Sequence, residues 1–395
     1  MVKNSPKIIS VVILILFCIT GCYRPSFRNI EEEIGNISRR LVPDRREGVF
    51  DVTVSFKSRQ LILKGETNIP EAKAEILGLL QKKNIKFTDS LTILPDTLLI
   101  KKTWGLVSVS VCNIRSKPSH SSELASQALM GTPVRILKSL NGWFFIQTPD
   151  KYTGWLEDDV LVTLTDKEFH RWKLADRIIF TGKTGEIVSE GDESFNVSDV
   201  VAGSIIGLTG EDKEYYYVML PDGRKGKAGK SYWRDFRKWA AEAEPVPERL
   251  YKSAISLMGI PYLWGGTSVK AMDCSGFVKT VYFLNGLILA RDVSLQIRHG
   301  YFRSAPVSTD SLLAGDLLFF GTIRNGILKA THVGMYIGDT EYIHSSGMVK
   351  INSLDSARAN FSRYRYNTLL GTSRISGYYP ADGLQPVINH PWYFN

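Results

Sequence analysis

Four cysteines in a chain of 395 residues leave no room for a disulfide framework. Cys18 and Cys22 both lie at the N-terminus, so Cys112 and Cys274 are the single pair left to consider, and joining them would consume a reactive thiol. No C-x-x-C or H-x-x-x-H spacing occurs among the cysteines and the six histidines, which argues against zinc, and no cofactor is implied. A long apolar run is missing as well: the stretch from Ile8 to Ile19 is too short to cross a bilayer as a helix. Basic residues outnumber acidic ones by 49 to 40, yet they are scattered and form no nucleic-acid-binding signature. The surplus of +9 therefore reads as solvated surface near an anionic envelope.

The short apolar stretch has the form of an export signal. Lys3 and Lys7 precede it, and it closes on Ile19-Thr20-Gly21-Cys22, which resembles a bacterial lipobox. Residues 1–21 are then expected to be removed and Cys22 to be acylated. That would anchor the chain to a membrane of the bacterial cell envelope, each buried CH₂ contributing roughly 0.8 kcal/mol.

Chemistry concentrates late in the chain. After Asp273-Cys274-Ser275-Gly276, the apolar residues Phe277, Val278, Val281, Tyr282 and Leu284 recur at helical spacing up to Asn285-Gly286, which places Cys274 in a first helical turn. There, unpaired N–H groups and the helix dipole favour a thiolate and offer an oxyanion donor. Downstream, Val333, Met335 and Ile337 alternate with His332, Gly334 and Tyr336, so His332 sits on a strand. Gly338-Asp339-Thr340 turns the chain into a second strand carrying His344. A hairpin symmetric about Gly338 would make the two histidines direct cross-strand neighbours, with His332 as base and acid and His344 as its orienter.

Tyr262-Leu-Trp264-Gly265-Gly266, Asp273-Cys274-Ser275-Gly276, Arg291-Asp292 with Gln296, Ala314-Gly315-Asp316-Leu317 and His332-Val-Gly-Met-Tyr336 together resemble the NlpC/P60 cysteine peptidases. The resemblance implies a papain-like core in which the cysteine helix packs on an antiparallel sheet bearing both histidines. It also implies peptidoglycan stem peptides as substrate, cut between D-Glu and the diamino acid, and a second oxyanion donor in the Tyr262 hydroxyl. Asn113-Ile114-Arg115-Ser116-Lys117-Pro118, Gly142-Trp143 and Tyr152-Thr-Gly154-Trp155 resemble a bacterial SH3 (SH3b) domain, and a weaker copy follows.

The expected fold is multidomain α+β: a small α+β N-terminal domain (22–100), two all-β SH3b barrels (101–165 and 166–239), a proline-bearing linker (240–247) and the catalytic domain (248–395). No chemistry is evident in the first of these. Relatives with paired SH3b domains often act on peptides with a free N-terminal L-Ala. The positions that match here are Glu123, Tyr152, Asp273, Ser275 and Asp292, whose carboxylates would hold an ammonium while Tyr152 walls off the space beyond. Four of the candidate residues have a plainer alternative: Glu123 as a solvated loop acid, Asp273 as a helix cap, Asp292 as a partner of Arg291 or Arg298, Tyr262 as packing beside Trp264.

Two other classes compete with the peptidase. A wall-binding lipoprotein with a vestigial catalytic domain would show an eroded triad, and all three positions are filled; an acyl transferase would need an apolar acyl pocket. The lipobox carries its own test. Cys22→Ser should move the protein from membrane pellets to the soluble fraction and remove the acyl mass from the mature N-terminus; unchanged pelleting without acyl mass would contradict the anchor.

Overall fold

In the computed structural model, which describes residues 27–57, 60–381 and 383–395, four packed regions follow one another along the chain. Cys22 lies outside the described residues. The first region holds a three-stranded sheet whose strands Gln60–Thr67 and Phe87–Ile93 run parallel, joined by the helix Pro70–Lys82. A second helix, Phe27–Leu41, seals the same core with Ile30 and Ile34.

Two seven-stranded antiparallel units come next, from Trp104 to Leu164 and from Arg177 to Asp235. Counted in chain order, the strands of both lie across the sheet as 7-1-4-5-6-2-3. The weaker sequence copy thus has the topology of the stronger one. Gly131 (φ +77°) marks their contact, since a Cβ there would come within 1.8 Å of the Ile205 carbonyl oxygen.

Part of the expected linker is helical. Asp235 caps the helix Phe236–Glu242 by accepting from the Lys238 N–H, and Pro247 opens the helix Pro247–Ser256, where its missing N–H costs nothing. The C-terminal tail returns to this corner, where Arg177 donates to the Tyr393 carbonyl at 2.8 Å and lies over Phe236 and Phe394.

The last region is a six-stranded antiparallel sheet with strands in the order Tyr301–Ser304, Leu369–Arg374, Leu317–Arg324, Ile327–Gly338, Glu341–Ser346, Met348–Ser353. The helix Cys274–Leu284 buries Phe277, Val278 and Val281 against Leu317, Phe319, Val333, Met335 and Ile343 of one sheet face. The other face has a core of its own, built from Leu318, Phe320, Tyr336 and Tyr342.

The histidine hairpin departs from the expected register. Met335 faces Ile343 and Tyr336 faces Tyr342, so carrying the register back sets His344 opposite Gly334, not His332. The cause is a bulge between Tyr336 and Gly338 together with the two-residue turn after it, Asp339 (φ 50°) and Thr340 (φ 65°). Because the slip is two residues, both histidines stay on one face. A Cβ at Gly334 would meet that of His344 at 3.2 Å, so the missing side chain opens the room through which the rings meet diagonally.

Candidate active site

Asp273 begins the site. Its carboxylate accepts from the N–H of Gly276 at 2.7 Å, capping the helix that starts at Cys274, and from the N–H of Gly265 at 3.0 Å. Arg291, 1 % exposed, grips the same carboxylate with Nη1 at 3.2 Å and Nη2 at 2.7 Å. Ser275 Oγ donates to Asp273 at 3.1 Å and accepts from Arg291 at 3.0 Å. These five bonds occupy the Asp273 carboxylate, and Ser275 is spent in the same network. Both residues border the cavity, but their side chains hold the nucleophile's helix and leave no acceptor for a substrate ammonium. For Asp273 this is the plainer reading, a helix cap.

The histidines form a hydrogen-bonded chain. His332 Nε2 lies 2.7 Å from His344 Nδ1, and His344 Nε2 lies 2.8 Å from Asn352 Oδ1. Asn352 donates through Nδ2 to the Asn360 carbonyl at 2.7 Å, which fixes its amide with Oδ1 as acceptor. The protons follow from that end. His344 carries its hydrogen on Nε2 and accepts on Nδ1, so His332 carries its own on Nε2 and presents a bare Nδ1. The Cys274 thiol lies against the backbone N–H of Val333, the residue after His332.

Burial opposes the activation expected from the helix dipole. It pushes the Cys274 thiol up to about 11, with the Asp273 carboxylate adding to the shift, while the N–H groups of Val333 and Ser275 and the Arg291 guanidinium pull the other way. Burial also holds His332 well below its usual value, helped by Arg365, His344 and Lys350. His344 is lowered to about 4, chiefly by burial. Burial thus favours the neutral forms of both the Cys274 thiol and the His332 imidazole, against the thiolate that the helix start was expected to favour.

A cavity of about 530 Å³ gathers the remaining residues: Glu123, Tyr152, Tyr262 and Asp292, with Cys274 in its wall. Glu123 and Tyr152 come from the first SH3b unit, so that unit forms part of the wall beside the nucleophile. Trp264 Nε1 donates to Glu123 Oε1 at 2.7 Å across the domain boundary, so Glu123 is no free loop acid. Asp292 bonds neither expected partner closely: Arg291 stands at 3.9 Å, whereas Arg46 of the N-terminal region meets it at 2.6 Å. Burial pushes the Tyr262 hydroxyl up to about 12, keeping it protonated and able to donate.

Sequence reasoning missed Arg46, Asn352 and the Trp264 contact. Asn352 had a local signal, since it stands on the strand after His344 as an amide among apolar Val349 and Ile351. Arg46 had none, because its partners in the catalytic domain, Asp292 and Ser294, are far away in sequence.

The raised Cys274 thiol implies a pH dependence. With the thiol raised, its thiolate fraction grows throughout the neutral range, so alkylation of Cys274 by iodoacetamide should keep accelerating between about pH 6 and 9. Cys112, buried in the first SH3b core and pushed up to about 12, should stay unlabelled until unfolding. A rate already flat from about pH 5, as a preformed ion pair gives, or earlier labelling of Cys112, would contradict this.

Comparison with known proteins agrees with this geometry. Residues 259–368 match the NlpC/P60 family, and residues 114–161 match the bacterial dipeptidyl-peptidase Sh3 domain. The chain is 30% identical over 263 residues to dipeptidyl-peptidase 6 of Lysinibacillus sphaericus, covering 64% of this chain and 92% of that protein. It is 38% identical to the gamma-D-glutamyl-L-lysine dipeptidyl-peptidase of Bacillus subtilis, covering 56% of this chain and 72% of that one. The crystal structure of an NlpC/P60 family protein from Bacillus cereus shares the fold, with a TM-score of 0.59 at 23% identity over 69% of this chain and 99% of that one. A cysteine at a helix start and a two-histidine sheet agree with the family match, and with a relative 30% identical over 92% of its length the chain belongs to the NlpC/P60 family of cysteine peptidases.

Proposed function

We propose that this enzyme hydrolyses the bond between γ-D-glutamyl and the diamino acid in peptidoglycan stem peptides, and that it prefers fragments whose N-terminal L-Ala is free. The observation that carries the reading is the shared cavity, where Cys274 and Tyr262 face Glu123, Tyr152 and Asp292. A free ammonium would pair with the carboxylates of Glu123 and Asp292. In intact wall the same nitrogen is an uncharged amide carrying a bulky group, so it gains nothing there and collides with the Tyr152 wall.

The proton chain supports the chemistry. His332 Nδ1 takes the Cys274 proton as the thiolate attacks the γ-carbonyl, and Nε2–H stays on His344, which remains neutral. The developing oxyanion takes the Tyr262 hydroxyl and the backbone N–H of Cys274 at the helix start. His332 then returns its proton to the leaving amine, and water releases the acyl group. Peptidoglycan fragments are thus the expected partners, met at an envelope membrane to which acylated Cys22 would anchor the chain.

The test pairs L-Ala-γ-D-Glu-L-Lys with its N-acetylated form and identifies products by mass. The free peptide should release L-Ala-γ-D-Glu, with catalytic efficiency at least about 30-fold above the acetylated one, as loss of roughly 2 kcal/mol of charge pairing requires. Cys274→Ala should remove about 10⁴-fold or more of the rate, while His344→Gln, which keeps a polar acceptor, should retain a measurable part. Equal cleavage of both peptides would contradict the specificity, and a Cys274→Ala rate within about tenfold of the parent would contradict the mechanism.

A further inference from the structure

Arg46 brings chemistry to the N-terminal region, where the sequence showed none. Its backbone carbonyl accepts from the Thr153 N–H at 2.7 Å and the Thr153 hydroxyl at 3.1 Å, which seats it beside Tyr152 on the first SH3b unit. Asp44 holds the guanidinium at Nε (2.8 Å) and Nη2 (2.6 Å). From there the side chain crosses to the catalytic domain, with Nη1 at 2.6 Å from Asp292 Oδ2 and Nη2 at 2.9 Å from Ser294 Oγ. One residue thereby ties three regions together in the wall of the active-site cavity.

Two consequences follow. A long side chain that would otherwise lose rotamer freedom on binding is already fixed by the bidentate Asp44 fork, so Asp292 meets a preorganised partner. With Oδ2 engaged by Arg46, the Asp292 carboxylate is held in one orientation. A carboxylate offers about four acceptor positions, so Arg46 and the hydrogen bond from the Tyr152 hydroxyl leave capacity for an ammonium. The guanidinium also lines the cavity where Tyr152 and Asp292 meet, so a group attached to a substrate nitrogen held by Asp292 would lie against it.

We propose that Arg46 is a specificity-determining residue: by clamping Asp292 and closing the cavity beyond Tyr152, it restricts the site to peptides that end in a free amine. The N-terminal region is in this sense part of the substrate-binding site. The inference deepens the peptidase reading and rests on it for the substrate class.

The test measures binding, so that it does not depend on turnover. L-Ala-γ-D-Glu and N-acetyl-L-Ala-γ-D-Glu are titrated calorimetrically into the full mature chain carrying Cys274→Ala, alone and combined with Arg46→Ala, Arg46→Lys or Glu66→Gln. With Arg46 present, the free dipeptide should bind at least about tenfold more tightly. Arg46→Ala should bring the two within about threefold, by weakening the free peptide and admitting the acetylated one, with Arg46→Lys in between. Glu66→Gln loosens the same region through its ion pair with Lys138, away from the cavity, and should leave the ratio unchanged. A ratio untouched by Arg46→Ala, or shifted equally by Glu66→Gln, overturns the proposal, as does failure of the free dipeptide to bind. Tripeptide turnover by the parent enzyme, assayed in parallel, bears on the peptidase reading alone: its absence alongside the expected binding ratios would refute hydrolysis and leave the role of Arg46 standing.

Discussion

The buried pair of Asp273 and Arg291 is the interaction on which the site depends. One carboxylate caps the nucleophile's helix, fixes the Gly265 loop and receives a bidentate guanidinium. Arg291 in turn reaches Ser126 of the first SH3b unit with Nε at 3.1 Å. Removing either partner would strand a charge in the interior, at a cost of roughly 3 to 5 kcal/mol. The geometry of Cys274 and the docking of the SH3b unit are therefore set by the same ion pair. Gly265 makes the close approach possible: with φ +82°, a Cβ there would come within 2.1 Å of the Leu124 carbonyl oxygen, next to Glu123.

That arrangement separates support from recognition. Asp273 and Ser275 are consumed in holding the helix, which leaves Glu123 and Asp292 as the carboxylates able to receive a ligand. Each is braced from another region, Glu123 by Trp264 of the catalytic domain and Asp292 by Arg46 of the N-terminal region. A similar division runs through the histidines in the proposed mechanism, where His332 would move the proton while His344 and Asn352 fix which nitrogen is bare. Burial disfavours the charged forms of Cys274 and His332.

The helix of Cys274, the two histidine strands and the SH3b turns were all legible, because each is written in a local period or a short run of turn residues. Register was not. It depended on whether Asp339 and Thr340 would both take positive φ and on one bulge, and neither leaves a mark in hydrophobic alternation. The helix Phe27–Leu41 could have been read from Ile30, Ile34, Ile37 and Leu41, whose spacing of three and four is plain once the signal segment is set aside. The roles of Asp273 and Asp292 were not separable in sequence, since both are acids beside Arg291 or Cys274. Only the distances reveal that one is saturated and the other is shared with Arg46. The side chain of Arg46 crosses between domains, and a contact of that kind has no signature along the chain.

In the proposed reading, a free peptide amine is held between Glu123 and Asp292 while the scissile carbonyl lies over Cys274. A crystal structure of the Cys274→Ala protein with L-Ala-γ-D-Glu-L-Lys would show this arrangement. The alanine nitrogen should lie within hydrogen-bond distance of both carboxylates, and the γ-carbonyl oxygen should turn toward the Tyr262 hydroxyl. A peptide bound in the opposite direction, or an alanine nitrogen pointing to solvent with Glu123 and Asp292 unengaged, would contradict it.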